Sequence, residues 1–272
     1  MHASSRAALE QARERLSQRA EGASGQALLA LSDELFAVAR LLDGQLTLRR
    51  ALSNASARPD DRAGLARQLF GSKLSEAALD IVETVARQRW SRPLDLVEAV
   101  ETLSIEAALD SAVATGDLDS VEDELFRFGR IVAGDDDLSR VLTDRAASAE
   151  GKAALLEQLL GGRVRPVTAL LLRNVLTSSH VHNAEVTIER LSEAAARRRG
   201  QWVAHVTSAV ELTDAQERRL TQVLGRLYGR TIGLQVIVDP EVLGGLVIRV
   251  GDEVINGSVA HRLEAAARRL VG

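Results

Sequence analysis

The chain has 272 residues, 46% of them apolar and 26% charged, with 34 basic against 38 acidic side chains and a net charge of −4. That balance excludes a disordered polyelectrolyte and leaves room for two or three packed domains. There is no cysteine, which excludes disulfides, thiolate nucleophiles and cysteine-ligated metal sites; mixed charges and only seven aromatics argue against a nucleic-acid partner.

The first 20 residues are charged and amphipathic, with no signal-peptide core, and no apolar stretch approaches the length of a bilayer span. A location in the cytoplasm is expected. Over residues 26–42 the apolar positions Leu28, Leu31, Leu35, Val38 and Leu42 recur at three and four, one stripe of a helix. Gly44 follows as a stop, and short helices are expected over 48–52 and 61–70, the latter ended by Gly71. Leu79, Val82, Val85 and Ala86 mark a helix over 76–89. Pro93 suits a first helical turn and opens a helix through Val97, Val100, Leu103 and Ala107.

The pattern then starts again. Asp33-Glu34-Leu35-Phe36 recurs 90 residues later as Asp123-Glu124-Leu125-Phe126, and the same offset aligns 33–71 with 123–161 without a gap. Fifteen of those 39 positions are identical, including Arg40/Arg130, Gly44/Gly134, Leu52/Leu142 and Gly71/Gly161. Chance would give roughly three at this composition, so the helical region is duplicated. The shared apolar and glycine positions imply that the same helix stripes and stops were copied. Three segments are expected: a first bundle copy over 1–103, a second over 104–198, and a different domain over 199–272.

The second copy continues through helices over 166–176 and 185–199, the latter closing on Arg197, Arg198 and Arg199 before Gly200. There the period changes. Residues 202–209 alternate as a strand, Thr213 to Gln216 form a capping box for a helix reaching Tyr228, and 232–238 read as a strand. Residues 246–250 and 254–255 suggest a hairpin around Gly251-Asp252, with Ser258 capping a last helix through Leu263 and Leu270. The fold class expected is mainly α with a small α/β C-terminal domain: two tandem helical bundles followed by a β-α-β-β-α domain.

Sites of chemistry are sparse. His180 and His182 are two apart without a third ligand nearby and read as a polar loop. His2, His205 and His261 stand alone. Asp135-Asp136-Asp137 lacks the alternate spacing of a calcium loop and fits the cap of a helix starting near Leu138. Asn54-Ala55-Ser56 and Asn256-Gly257-Ser258 match the glycosylation triplet only formally. Trp90 and Trp202 read as packing at domain edges rather than partner anchors. Gly244-Gly245 precede a strand rather than a helix, which argues against a phosphate cradle and for a tight approach to a hairpin. No catalytic residue, cofactor or metal is expected.

Between residues 232 and 251 the sequence resembles a known family. Ile232, Leu234, Val238-Asp239, Val242, Gly244-Gly245-Leu246, Ile248-Arg249 and Gly251 stand in the order and spacing of the signature of F-type ATP synthase delta subunits, the oligomycin-sensitivity-conferral-like stator proteins. Gly251-Asp252 through Gly257-Ser258 resembles that family's closing hairpin and last helix, with Asn256 where Asp is more usual. Roughly residues 100–272 correspond to a delta subunit of ordinary length, and the duplicated helical region looks like the actinobacterial form. The resemblance makes Asp239, Gly244, Gly245, Leu246, Gly251, Asp252, Gly257 and Ser258 structural signature positions. It also implies a non-catalytic stator subunit that binds N-terminal segments of α subunits and the peripheral-stalk subunit b, on the cytoplasmic face of the plasma membrane.

The family precedent for the α contact is a groove between the first and fifth helices of a bundle. By element, this falls on residues 6–19 and 76–89 in the first copy and 98–114 and 166–178 in the second. Its candidate lining is Ala8, Ala12, Leu79, Ala108, Ala112, Leu171 and Val175. Each copy is expected to build such a groove and so to provide a second tether to the head; the alternative is a first copy that kept its core and lost its groove. The rival reading is a helical adaptor or regulator unrelated to the synthase.

Overall fold

In the computed structural model the described residues are 3–144, 146–179, 181–199, 201–228, 231–239, 242, 244–250 and 253–256. They divide into two compact units, Met1–Ser192 and Glu193–Gly272.

The first unit is helical: α1 (Ala3–Ala20), α2 (Gly25–Gly44), α3 (Leu46–Leu52), α4 (Pro59–Phe70), α5 (Glu76–Arg87), α6 (Pro93–Thr115), α7 (Leu118–Ala133), α8 (Asp136–Thr143), α9 (Ala149–Leu160), α10 (Pro166–Leu176) and α11 (Ala184–Arg198), whose last residues belong to the second unit. The starts follow from local chemistry. Ser24, Ser75 and Ser148 accept the backbone N–H three residues on, and Pro59, Pro93 and Pro166 occupy first turns. Asp135 accepts from the N–H groups of Asp137 and Leu138 at 3.1 and 3.0 Å, the cap expected of the aspartate run.

The 90-residue offset governs the elements as well as the letters. Helix α4 spans 59–70 and α9 spans 149–160; α1 begins at 3 and α6 at 93; α5 begins at 76 and α10 at 166. Thus α6 is at once the sixth helix of the first bundle and the first helix of the second. It runs unbroken through 103/104, the expected division between the copies, and both copies lie in one compact unit. Almost every residue from Asp95 to Ala112 is buried or half-buried, as befits a helix with neighbours all round. Helices α1, α2, α5 and α6 enclose Ala12, Leu16, Leu35, Leu42, Ile81, Val85, Leu96 and Leu103. Their burial drives the assembly, at roughly 1.5–3 kcal/mol for each large aliphatic side chain.

Two polar features pin this core. Asp95, fully buried, accepts from Ser5 Oγ at 2.7 Å and from Arg92 at 2.8 and 3.1 Å, tying the start of α6 to α1. Burial pushes that carboxyl up, but these hydrogen bonds outweigh it and hold it below its ordinary value. Arg62 is 2% exposed and donates to the carbonyls of Asn54, Ala57, Ala86, Arg87 and Gln88, closing the C-terminus of α5 onto the α3–α4 loop. Trp90 is buried with its indole N–H on Val85 O at 2.9 Å, a packing role.

The second unit carries β1 (Gln201–Ser208), α12 (Asp214–Tyr228), β2 (Thr231–Val238), β3 (Leu246–Val250) and β4 (Glu253–Asn256). The sheet order is β2-β1-β3-β4, with β1 parallel to β2 across the α12 crossover and antiparallel to β3, which forms a hairpin with β4. The described order is therefore β-α-β-β-β, in which the hairpin expected over 246–250 and 254–255 supplies the last two strands; the positions of the expected last helix lie outside the described residues. The Thr213–Gln216 capping box forms in both directions, at 2.8 and 3.3 Å. Ala204, Val206, Leu224, Ile232, Ile248 and Val250 make the core between α12 and the sheet.

Candidate partner-binding surfaces

The repeated Asp-Glu-Leu-Phe motif shows what the duplication preserved. Leu35 and Leu125 are fully buried. Glu34 accepts from the N–H and hydroxyl of Ser75 at 3.0 and 2.6 Å, at the start of α5. Its counterpart Glu124 accepts from Arg165 N–H and Thr168 Oγ1 at 2.9 and 2.5 Å, at the start of α10. In each copy the glutamate of helix two therefore satisfies the positive end of helix five, the helix expected to form one wall of a groove.

The aspartate and phenylalanine diverge. Asp123 pairs with Arg127 on its own helix at 2.9 Å, and Phe126 is 43% exposed. Asp33 faces Arg173 of α10 at 3.8 Å, and Phe36 is only 2% exposed. Arg40 donates to the buried Asn174 Oδ1, and Ser179 donates to Asp43 at 2.5 Å. Burial lowers the pKa of the Arg40 guanidinium, an effect that Asp33 opposes and Arg173 reinforces.

The seam between α1 and α5 of the first copy is an ion-pair network. Arg15 grips Asp80 through Nε and Nη2 at 2.6 and 2.9 Å, and Arg19 Nε adds a third bond at 2.7 Å. Burial raises the Asp80 carboxyl, yet the two arginines more than compensate and bring it below its ordinary value.

Of the groove lining expected by element, Ala8, Ala12, Ala108, Ala112, Leu171 and Val175 are buried within the chain and Leu79 is partly buried against the core. Small and apolar residues on these helices sit where the chain's own helices meet, so they support the seams from beneath instead of lining an accessible groove. The outward positions on α1 are polar apart from Ala7, and include Gln11, Glu14 and Gln18. The sequence reading passed over Asp33, Arg40, Asp43, Arg173 and Asn174 as a group; the i, i+7 spacing of Asp33 and Arg40 within the repeated motif was the available signal.

In the second unit Gly244 and Gly245 take φ of +62° and +85°, a backbone that a side chain would strain, and Gly244 N–H closes a tight turn onto Val242 O at 2.8 Å before β3. Asp239 N–H bonds Ser208 O at 2.8 Å at the ends of β1 and β2, and Leu246 pairs with Ser208 in the ladder. Gly251, Asp252, Gly257 and Ser258 lie outside the described residues, as do His180 and His261. His182 is exposed in the α10–α11 loop. No helix among the described residues is long and apolar enough to cross a membrane.

These features define a helical scaffold unit, internally duplicated, followed by a small α/β unit. Residues 105–270 match the family described as ATP synthase delta (OSCP) subunit. The ATP synthase subunit delta of Streptomyces griseus subsp. griseus is 46% identical over 272 residues, covering 100% of both chains. That of Streptomyces coelicolor is 47% identical over 270 residues, covering 99% of this chain and 98% of its own. For Nocardia farcinica the figures are 43% over 270 residues, with 99% and 100% covered. A chain of the Toxoplasma gondii mitochondrial ATP synthase hexamer has a TM-score of 0.47 at 18% identity, covering 62% of this chain and 95% of its own, too slight a likeness to carry an argument.

The chain belongs to the ATP synthase delta (OSCP) subunit family, a family of stator components. The family match begins at residue 105, whereas these actinobacterial relatives align through the first hundred residues too, so they share the long form.

Proposed function

We propose that this chain is a non-catalytic stator subunit that holds the α subunits of an F-type ATP synthase head to peripheral-stalk subunit b, so that the head does not turn with the rotor. The match of residues 105–270 to the delta family, within relatives that span the whole chain, is the observation that carries this reading. In it the duplicated helical segments 1–103 and 104–198 face the head through a helix-one/helix-five seam that takes an N-terminal segment of α, and 199–272 meets subunit b. Exposed Val223 and Leu227, one turn apart on α12, give that last segment an apolar strip for a stalk helix. The chain sits peripherally on the cytoplasmic face of the membrane through these partners.

The test is reconstitution with the purified full chain. The soluble part of b should co-sediment with the catalytic head only when the chain is present, and V223D/L227D should release b while leaving the chain on the head. Capture of b by the head without the chain, or by neither partner with it, refutes the stator reading.

A further inference from the structure

A seam between two touching helices has two sides. In the second copy the seam of its first and fifth helices, α6 and α10, is covered on one side by α7, a member of that copy. On the other side lies α2, which belongs to the first copy and packs against both α6 and α10. One stripe of α2, Asp33, Phe36, Arg40 and Asp43, spaced three, four and three, carries the contacts with α10 and the loop after it, with the buried Phe36 on the same face. Asp33 meets Arg173, Arg40 meets Asn174, Asp43 takes the hydroxyl of Ser179, and Phe36 between them is 2% exposed. A buried aromatic ringed by polar contacts is the pattern of a docked recognition helix. On the equivalent stripe of α7, Asp123 pairs with Arg127 of its own helix and Phe126 is 43% exposed.

We propose that α2 occupies in cis, on the second copy, the position a partner helix takes on a delta-type bundle. The chain then presents one open helix-one/helix-five seam, α1/α5 of the first copy, rather than two. There α6 backs the seam, Arg15, Arg19 and Asp80 bridge it, and Gln11, Glu14 and Gln18 remain exposed. The inference rests on the preceding reading for what docks at such a seam. It replaces the double tether by a single one, and it makes truncation misleading: a fragment starting at 104 lacks α2 and would expose a seam that the whole chain keeps shut.

The experiment therefore uses the full chain and two variants, F36A/R40A and, at the equivalent positions, F126A/R130A. Each is titrated calorimetrically with a synthetic peptide of the N-terminal segment of the α subunit of the same synthase. Amide exchange in α6 and α10 is followed in parallel. One peptide per chain is expected for the wild type and F126A/R130A, and two for F36A/R40A. Exchange in α10 should rise at least tenfold in F36A/R40A alone. Two peptides on the wild type overturns the closure while leaving the docking reading intact; unchanged α10 exchange in F36A/R40A overturns it whether or not that variant is fully stable. If no protein binds the peptide, the docking reading fails, and the exchange comparison still decides whether α2 shields the seam.

Discussion

Phe36 and Phe126 are the same residue in the same motif on equivalent helices, yet one is 2% and the other 43% exposed. The glutamate beside each does the same work in both copies, at the start of α5 and of α10. The difference teaches where duplication stops. The motif's contact within a copy is reproduced in both copies, whereas its contacts between copies exist only once, because only the first copy is followed by another helical copy. Not every feature within a copy was kept, as one pair of helix stops shows. Gly71 ends α4 with right-handed φ of −59°, while its counterpart Gly161 ends α9 at +47°.

The largest effect that could break this comparison is truncation of the two phenylalanines. F36A should destabilise the helical unit by about 3–5 kcal/mol and F126A by less than about 1 kcal/mol, read from denaturant melts. Equal losses would mean that Phe36 gains nothing from α10. Next comes G245V, which forces a β-branched residue to φ near +85°. It should cost about 1–3 kcal/mol in the α/β unit and leave the melting of the helical unit unchanged; a drop in both would make the two units one cooperative body.

A smaller and symmetrical effect is expected for E34A and E124A, each about 1 kcal/mol, because each removes one carboxylate that accepts two donors at a helix start. A cost confined to one copy would show that the capping is not equivalent. The smallest is a pH effect. Asp95 and Asp80 have folded pKa values below the ordinary 3.8, so their contribution is complete at neutral pH and is lost only as pH falls below that value through the depressed one. Acid melts of D95N should lack part of the wild-type loss in that window, and an identical acid limb would remove Asp95 from the account.

Much of the helical unit was legible because its signals are local. The residue 166–176 helix and the 246–250 strand agree with the structure residue for residue, and the caps at Asp135 and Thr213 act as their side-chain chemistry dictates. The candidate groove was less legible. Alanine and leucine at helical spacing mark a buried face, but periodicity does not say whether the chain's own helix or a partner's buries it, and for Ala108, Ala112 and Leu171 the answer is the chain's own. Arg62 shows the same limit in a polar residue, since a lone arginine near a helix start gives no hint of five backbone carbonyls converging on it.

The sequence by itself determined the helices, their stops, the 90-residue repeat, the change of period near residue 200 and the family, all of which depend on neighbours along the chain or on residue order. Only the tertiary structure decided that α6 serves both copies, that α2 lies on α6 and α10, and that one of two identical phenylalanines is buried. Those outcomes depend on which surfaces meet across more than 100 residues of chain, as between Arg40 and Asn174. Burial is a property of the pair of surfaces, and a repeated sequence carries only one of them.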